Sequence, residues 1–593
     1  MIYDTAVIAG YFVLMVLISF IFKKMASKSS SDYFRGGGRM LWWMVGATAF
    51  MTQFSAWTFT GAAGKAYSDG FMVAAVFLGN TIAYGVSWLW FARRFRQMRV
   101  DTATEVIRLR FGHQNEQFFT WVIIPLSILS GAVMMNALAI FVSSVFHWDL
   151  SATIWITGVV VLLISLISGA WGVVASDFVQ TLIVAVISVA CALVALVKIG
   201  GPGEMVAHFP SGFWQGPNMN FGVIVLGSVI FFIVKQLQSV NNMLDSYRFL
   251  NARDSATAQK AALFAMILMA IGTVIWFIPP WVAASLYPDA TSHYAYLGNK
   301  AADTVYLTFV ERAMPAGTVG LLVAGLFAAT MSTMDPVLNR NSGIFVRSFL
   351  LPVIFRHRDI SDKKQLFAGK LFCVFNGILV ILVSLFFSHL EGMSLFELMM
   401  TVSTLVQAPL LVPLFFGMFI NNIPRWAPWA TVVFGLLVSW LCLDVLTANN
   451  LGQYLGIAFT KREISELNVI INIIAHLVLT GGFFIATRLF YRPGSYPAKE
   501  QAQVESFFRN LNDEVVADEQ QSGFDRQQRE KIGFITILMS AGMALMVFIP
   551  NPLWGRLIFL GCAALVFLVG YLLRLSCRTA QVDTATRREN QHS

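Results

Sequence analysis

A short polar run interrupts one of the long apolar stretches of this 593-residue chain. The run, residues 328–336, contains the hydroxyls of Ser332 and Thr333 and the carboxylate of Asp335. Polar groups at membrane depth are costly and usually mark the path of an ion or a solute. The run therefore predicts a membrane transporter whose coupling ion binds at this helix. The competing interpretation is that both hydroxyls donate to carbonyls of their own helix.

The composition is that of a chain embedded in a membrane. Hydrophobic residues make up 57% of the sequence and charged residues only 12%, whereas soluble domains carry about 25% charged residues. The mean hydropathy is +0.68. The formal net charge of +9 is spread over the loops instead of forming one patch, so nucleic-acid binding is not expected. The loops combine no nucleophile, base and metal ligands, and we do not expect an enzyme.

We predict an all-α multi-pass membrane protein with about 15 transmembrane helices. The predicted spans are 2–22, 41–66, 70–92, 118–146, 152–168, 172–198, 221–242, 258–286, 317–346, 369–388, 395–420, 428–446, 467–490, 534–550 and 554–575. Lys and Arg concentrate in alternate loops, which places the N-terminus outside and the C-terminus in the cytoplasm. The expected location is the plasma membrane, which is the inner membrane in a bacterium.

Polar and small residues interrupt two of the predicted spans, 41–66 and 221–242. These spans begin two successive sets of five, 41–198 and 221–420. Because each set has an odd number of spans, the second set starts from the opposite side of the membrane, as in transporters built from inverted repeats. Close packing by small residues is the alternative explanation for either interruption alone.

The repeat divides the chain into seven expected parts. In order, they are an N-terminal peripheral transmembrane helix, two five-helix repeats, two peripheral helices, a cytoplasmic linker, a transmembrane hairpin and a cytoplasmic tail. Their boundaries are 1–24, 25–210, 211–422, 423–490, 491–532, 533–575 and 576–593. Within the linker, the pattern near 504–511 predicts a short amphipathic helix.

A sodium ion is a hard cation that needs several oxygen ligands. Ser332 and Thr333 offer two hydroxyls, and Ala329 offers a carbonyl one turn earlier. Unwound backbone in the interrupted span 41–66 would supply the remaining carbonyls, because irregular backbone at membrane depth is tolerated where it is buried or lines a cavity. The pattern predicts a Na⁺ site between these two helices.

Four motifs in order along the chain resemble those of the sodium:solute symporter family. They are Asp32-Tyr33-Phe34 with Gly37-Gly38-Arg39, Ser55-Ala56-Trp57, Ser176-Asp177-Phe178-Val179-Gln180, and the Ala-Ala-Thr-Met-Ser-Thr run at 328–333. The resemblance covers about residues 31–420 and implies the leucine-transporter-type five-plus-five inverted repeat. It also implies a principal Na⁺ site made by the carbonyls of Met51, Phe54 and Ala329 and the hydroxyls of Ser332 and Thr333.

Asp177 matches a position that, in some family members, helps to bind a second sodium or to conduct the first one inward. In two-sodium members its partner positions carry hydroxyls, whereas here they match Asp335 and Pro336. Two carboxylates that share one site cannot both stay ionised without a cation. The resemblance thus implies that Asp177 and Asp335 form a second ion site or a proton site. The alternatives are an interfacial position for Asp177 and a surface position for Asp335.

The cargo site is expected where four predicted spans meet, 41–66, 70–92, 221–242 and 395–420. In sugar-transporting members, acidic, amide or ammonium groups bind the sugar hydroxyls at four positions. These positions match Trp57, Thr58, Phe77 and Thr304, none of which carries such a group. A hexose is therefore disfavoured, because hydroxyls left unpaired in a dry site are costly. The Ser55-Ala56-Trp57 motif is more similar to the proline-transporting branch. The candidate cargo-binding residues are Ser55, Trp57, Thr58, Phe77, Asn80, Asn242, Met400 and Gln407.

These features predict a Na⁺-coupled secondary active symporter that imports a small organic solute by alternating access. Na⁺ is the expected coupling ion, and no organic cofactor is expected. An amino acid, a proline-like solute or a carboxylate is favoured over a hexose. The alternatives are proton coupling, sugar transport within the same family, and a transporter-like sensor module. The expected partners are the lipid bilayer and the solute, and the oligomeric state is left open.

Overall fold

The computed structural model describes residues 2–26, 38–100, 102–210, 212, 214–356, 360–390, 394–494, 496–516 and 522–592. All regular elements among these residues are helices, and extended pairing is limited to one isolated bridge between Met40 and Ala252. The predicted all-α class is therefore confirmed. The first family motif, up to Gly37, lies outside the described residues.

The helices before residue 290 contain the first predicted repeat and the start of the second. They are α1 Ile2–Ala26, α2 Trp42–Gln53, α3 Ala56–Phe59, α4 Gly61–Asp69, α5 Met72–Gln97, α6 Ala103–Phe111, α7 His113–Phe146, α8 Leu150–Ile199, α9 Pro202–Ala207, α10 Gly222–Val240, α11 Tyr247–Leu250 and α12 Ser255–Leu286. Short π-helical stretches interrupt several of the longer helices, including α5 at Ser87–Phe91.

The remaining helices complete the second predicted repeat and the C-terminal part. They are α13 Val305–Ala313, α14 Thr318–Ile354, α15 Asp362–Ser388, α16 Leu395–Phe416, α17 Ala427–Asp444, α18 Ala448–Leu455, α19 Lys461–Phe490, α20 Ala498–Asn510, α21 Ser522–Leu545 and α22 Leu553–His592. A 3₁₀ segment, Ser292–Thr304, connects α12 to α13.

Twelve segments of the described residues are long and apolar enough to cross a membrane. The other three predicted spans correspond to helices of different form. They are α1, whose apolar part is Ile2–Ile18, the interrupted series α2 to α4, and the first part of α8, Leu150–Leu166. The multi-pass architecture is confirmed, while the total of 15 spans stays a prediction.

The break predicted in span 41–66 lies between α2 and α3. The helix leaves its path at Phe54 (φ −109°, ψ 127°) and Ser55 (φ −147°, ψ 177°), both of which are extended. A second deviation at Thr60 (φ −112°, ψ −93°) separates α3 from α4. The surrounding residues are buried, so these irregular peptides face protein rather than lipid, as membrane depth requires.

The break predicted in the last part of span 221–242 lies at its final two residues, Asn241 and Asn242. Helix α10 is regular from Gly222 to Val240, and the chain unwinds only at Asn241 (φ −114°, ψ 61°). The polar side chains that suggested a break, such as Lys235, stand on a continuous helix because they face a cavity and do not compete with the backbone. Irregular backbone then continues to the start of α11 at Tyr247.

The two portions of α8 pack in opposite directions. In the first portion, Gly158 approaches Ile381 and Leu162 approaches Gly377, so it runs antiparallel to α15. In the second portion, Phe178 contacts Trp43 near the start of α2, with ring centroids 4.6 Å apart. The portion Val174–Ile199 then ends near Ile278–Leu286, the last part of α12. Beyond α9, Ser285 of α12 donates to the His208 carbonyl at 3.0 Å. The contacts therefore agree with two predicted spans, 152–168 and 172–198.

The segment after α19 packs against loops that carry Arg99, Arg253 and Arg425, which we call the Arg-rich face. Helix α20 confirms the predicted amphipathic helix, and Val504 and Phe507 form its buried face. Ion pairs then fix the chain that follows to earlier loops. They are Arg425–Glu500 at 2.9 Å, Arg99–Asp513 at 2.6 Å and Arg253–Asp525 at 2.6 Å. The final helices α21 and α22 form a hairpin that also contacts α1 and α8.

Candidate functional site

The predicted Na⁺ ligands lie where α14 packs against the interrupted helix. Helix α14 contacts both α2 and α3, on either side of the break. Met51, Phe54, Ala329 and Ser332 are all buried, with at most 1% of each residue exposed. Because the backbone at Phe54 is extended, the Phe54 carbonyl is not part of a regular helix and can accept a ligand from outside it. The fold thus packs the two helices that carry the predicted ligands against each other, and the Na⁺ site itself stays a prediction.

The two adjacent hydroxyls of α14 differ in their partners. Thr333 Oγ1 donates to the Ala329 carbonyl at 3.1 Å, which is the intrahelical bond of the competing interpretation. Ser332 Oγ is buried and has no hydrogen-bond partner among the described residues. Leaving such a hydroxyl unpaired costs about 1–3 kcal/mol, a cost that a bound cation would remove. Ala329 lies inside the regular helical stretch Thr318–Asp335, so its carbonyl accepts the Thr333 N–H as well as the Thr333 hydroxyl, and a cation would have to replace or share one of these bonds.

The two carboxylates of the predicted second site are described to different extents. Asp177 is fully buried in the second portion of α8, and its own carbonyl accepts a hydrogen bond from Thr181 Oγ1 at 2.7 Å. Its burial differs from the interfacial position that was the alternative. The side chain of Asp335 lies outside the described part of the chain, so its pairing with Asp177 stays a prediction.

A central cavity of about 210 Å³ lies beside the Na⁺ junction, with Thr333 in its wall. Six of the eight predicted cargo-binding residues line it, namely Ser55, Trp57, Phe77, Asn80, Met400 and Gln407. They come from the break before α3, from α3 itself, from α5 and from the distant helix α16. The cavity is smaller than the roughly 300–1,000 Å³ of sites for drug-sized ligands, which favours a compact cargo.

Thr58 and Asn242, also predicted to bind cargo, are not part of the cavity wall. Thr58 points into the protein core and is 1% exposed. Asn242 uses its amide locally: Oδ1 accepts from the Leu244 and Asp245 N–H groups at 2.9 and 3.2 Å. Its Nδ2 donates to Asp245 Oδ2 at 2.8 Å. Asn242 therefore shapes the unwound segment after α10, a role that composition alone does not distinguish from ligand binding.

Stacked aromatic rings cover one side of the cavity. The Trp57 ring lies between Phe77 and Phe396, with centroid distances of 6.1 and 5.6 Å and interplanar angles of 20° and 24°. The Lys65 ammonium lies 5.2 Å from the centroid of the Phe396 ring. Gly61 permits this arrangement, because a Cβ atom there would lie 2.8 Å from Trp57 Nε1. Lys65 also pairs with Asp69 and, at 3.4 Å, with Glu466.

Sequence reasoning missed the charged residues of the cavity wall, which are Lys235, Asp245, Arg248 and Arg340. Arg248 pairs with Asp245 at 2.9 Å. The nearest polar contact of Lys235 Nζ is the Met400 sulfur at 3.6 Å, and no described carboxylate lies within ion-pair distance of it. The signal was present in the sequence, since a lysine within the apolar span 221–242 is itself a functional indicator.

The sodium:solute symporter family profile matches residues 33–435, more than half of the chain. The chain belongs to the sodium:solute symporter family. This symporter is 23% identical over 448 residues to the sodium/sialic acid symporter SiaT of Proteus mirabilis, with 73% of this chain and 87% of that one covered. It is 25% identical over 491 residues to sodium/myo-inositol cotransporter 2 of Oryctolagus cuniculus, with 74% and 69% covered.

Two solved structures share the fold of this symporter. A substrate-bound outward-open state of a Na⁺-coupled sialic acid symporter superposes with a TM-score of 0.65 at 19% identity, over 83% of this chain and 98% of that one. Mhp1, a nucleobase-cation-symport-1 family transporter, superposes with a TM-score of 0.51 at 14% identity, over 80% and 99%. Both likenesses concern the fold alone.

Family membership establishes the general activity. The chain is a Na⁺-coupled solute symporter, a multi-pass integral membrane protein and a transporter rather than an enzyme. The predicted family, coupling ion and transport class are therefore confirmed.

Proposed function

We propose that this symporter imports a small organic anion whose carboxylate binds Lys235. The single observation that carries the proposal is the Lys235 ammonium, which faces the central cavity with no described carboxylate in ion-pair distance. A charge inside the membrane-spanning region is costly unless it is paired. A cargo carboxylate would supply the missing negative charge through a charge-assisted hydrogen bond.

The rest of the wall suits the body of such an anion. Trp57, Phe77 and Met400 offer apolar surface, while Ser55 and Gln407 offer groups that accept or donate hydrogen bonds. The wall also carries uncharged polar side chains, such as Asn80 and Gln236, which can bond hydroxyl groups, so the preference for an anion over a hexose rests on the Lys235 charge. These features favour a short-chain carboxylate or an amino acid over a sugar.

Na⁺ is proposed to bind at the junction formed by the Met51, Phe54 and Ala329 carbonyls and the Ser332 and Thr333 hydroxyls. Such an ion would connect α14 to the interrupted helix α2–α3 in one state of the transport cycle. An ion shifts a conformational equilibrium only if it interacts differently with the two states, and ligands from two separate helices provide that difference. Rocking of one repeat against the other around the site would then give alternating access.

The proposed orientation has the N-terminus outside and the Arg-rich face, with α20 and its ion pairs, in the cytoplasm. We also propose that the two five-helix repeats are 25–210 and 211–422, followed by the peripheral helices 423–490. Segments 491–532, 533–575 and 576–593 would then be the linker, the hairpin and the tail. With the bacterial inner membrane as location, the inward Na⁺ gradient would drive import.

Purified protein in liposomes with an inward Na⁺ gradient tests the proposal. The screen uses labelled short-chain carboxylates, amino acids, amines and neutral sugars, each with choline in place of Na⁺ as a parallel arm. We expect Na⁺-dependent uptake of at least one carboxylate and no uptake of hexoses. Uptake of a neutral sugar or an amine in preference to every carboxylate would contradict the proposal.

Lys235→Met, compared with the matched control Lys198→Met, tests the proposed ligand. Lys198 is exposed at the end of α8, away from the cavity. We expect Lys235→Met to lower carboxylate uptake at least tenfold, while Lys198→Met retains wild-type uptake. Equal uptake by the two variants would exclude Lys235 as the anion ligand.

A further inference from the structure

A second cation lines the central cavity, and the described part of the wall offers no acid to pair with it. The four charged wall residues are Lys235, Arg248, Arg340 and Asp245, and Asp245 is the only acid among the described wall residues. Arg248 uses that acid, with its Nη2 atom 2.9 Å from Asp245 Oδ1. Among the described wall residues, neither Lys235 nor Arg340 therefore has an acid as partner. We propose that the cargo is a small dicarboxylate, with one carboxylate bound by Lys235 and the other by Arg340.

Arg340 is held at the wall by contacts that leave its charge unneutralised. Its guanidinium lies over the Tyr247 ring, 5.2 Å from the centroid, and the Arg248 guanidinium lies 5.7 Å from the same centroid. The Arg340 Nε atom is buried and has no hydrogen-bond partner among the described residues. A guanidinium is planar and matches a carboxylate with two parallel N–H groups. The Tyr247 ring thus lies against a guanidinium whose Nε atom has no acceptor in the described part of the chain.

The two cations lie on different helices, so that a cargo with two separated charges can reach both. Lys235 belongs to α10, and Arg340 belongs to the π-helical stretch Pro336–Arg340 of α14. Arg340 follows Thr333 by seven residues, which is about 10 Å along a helix that rises 1.5 Å per residue. One carboxylate would thus lie towards Met400, which contacts Lys235, and the other towards Tyr247.

Electrostatics favours a doubly charged cargo over a singly charged one. With Lys235 bound to a monocarboxylate, the Arg340 charge would stay unpaired beside a Na⁺ site whose Thr333 shares the cavity wall. Like charges in a region of low dielectric repel strongly, and each unpaired cation also loses its hydration. A second carboxylate on the cargo relieves both effects at once. The cavity of about 210 Å³ limits this cargo to a compact chain.

This inference rests on the proposed function, since it assumes an anionic cargo at Lys235. The test measures thermal stabilisation of the purified full-length protein, which reports binding without a labelled substrate. The probes are unbranched dicarboxylates of three to eight carbons and the monocarboxylates of matched length, in Na⁺ and in choline. We expect one dicarboxylate length to bind at least tenfold more tightly in Na⁺ than its matched monocarboxylate.

Arg340→Gln should abolish that preference. It should weaken dicarboxylate binding at least tenfold and leave monocarboxylate binding within about twofold of wild type. Arg340→Lys should restore part of the preference, whereas Lys235→Met should weaken the binding of both the dicarboxylate and the monocarboxylate. Arg93→Gln is the matched control, because Arg93 lies outside the cavity and pairs with Glu514, and it should behave as wild type. Stabilisation of Arg340→Gln by Na⁺ alone would show that the variant is folded.

Two results would overturn the inference while leaving an anionic cargo in place. One is a wild-type protein that binds monocarboxylates as tightly as dicarboxylates, and the other is an unchanged preference in Arg340→Gln. Stabilisation by a neutral solute, with none by either class of acid, would instead overturn the proposed function together with this inference.

Discussion

The Thr333 hydroxyl donates to the Ala329 carbonyl at 3.1 Å, while the hydroxyl of Ser332, one residue before it, is buried without a partner among the described residues. The two adjacent hydroxyls of the run therefore differ in what stabilises them. The Thr333 hydroxyl is stabilised by its own helix, whereas Ser332 depends on a ligand that the helix does not provide.

Ser332→Ala and Thr333→Ala should each weaken apparent Na⁺ affinity about tenfold or more, and the double variant should weaken it further. Removal of an unpaired buried hydroxyl also removes its desolvation cost of about 1–3 kcal/mol, so Ser332→Ala without Na⁺ should be at least as stable as wild type. The measurement is the Na⁺ dependence of cargo uptake, with cargo affinity determined in saturating Na⁺. An equal loss of Na⁺ and cargo affinity would indicate misfolding and contradict the assigned site.

Phe396 should act as a cover of the central cavity. It stacks on Trp57 and borders a second cavity of about 430 Å³, while Met400 lines both cavities. Phe396→Ala removes a stacking contact of about 0.5–1.5 kcal/mol and opens a path between the two spaces. We expect cargo to dissociate several-fold faster in a filter-binding assay. Phe396→Tyr keeps the ring and should retain the wild-type rate; equal rates in wild type and Phe396→Ala would exclude a covering role.

Asp303 should make stability depend on pH. It lies in the 3₁₀ segment between spans, where burial raises its pKa to about 7 although the Leu395 N–H and Lys300 favour its charged form and Glu397 opposes it. Because this folded-state pKa exceeds the ordinary value of 3.8, the folded protein keeps a proton that the unfolded chain loses. The contribution of Asp303 to stability therefore falls as the pH rises from about 4 to about 7, by on the order of 4 kcal/mol at most.

Asp303→Asn removes this titration. The difference in stability between this variant and wild type therefore reports the titration of Asp303 alone. Thermal unfolding of both proteins from pH 4.5 to pH 8 should show similar stability at the acidic end and a more stable Asp303→Asn at pH 8. A difference between the two proteins that stays constant over this range would show that Asp303 has no raised pKa.

The Arg253–Asp525 ion pair should dock the start of α21 onto the loop before α12. The two side chains are 30% and 15% exposed and their atoms are 2.6 Å apart. Arg253→Glu should increase protease cleavage between α20 and α21, and the double variant Arg253→Glu/Asp525→Arg should restore protection. A coupling of about 1 kcal/mol is expected for a partly exposed pair. Additive effects of the two single variants would show that the pair is not coupled.

A dicarboxylate cargo requires more than one coupling cation. With one Na⁺, a net charge of −1 would move inward against the membrane potential, at a cost of about 2.3 kcal/mol per 100 mV. We therefore expect a Hill coefficient above 1 for Na⁺ in dicarboxylate uptake. Asp177→Asn should lower that coefficient towards 1 if the fully buried Asp177 belongs to the second ion site. A coefficient of 1 in wild type would contradict multiple-ion coupling.

The sequence by itself determined the class of the molecule and predicted the place of its ion site. Apolar stretches of spanning length have few alternatives to membrane helices, and buried hydroxyls such as Ser332 have few uses there. Local chemistry also predicted the break near Phe54, since polar and small residues interrupt an otherwise apolar helix. The amphipathic pattern near 504–511 likewise predicted α20.

Only the tertiary structure decided which side chains face the cavity and which charges are paired. Asn242 and Lys235 are both polar residues at the end of one span, yet Asn242 closes a local turn whereas Lys235 lines the cavity. Arg248 pairs with Asp245 three residues away, while Arg340 reaches the same wall from a distant helix and pairs with no described acid. The rotation of each helix about its axis is set by packing against its neighbours. For this reason the charge of the cavity follows from helices meeting in space, which no single stretch of sequence encodes.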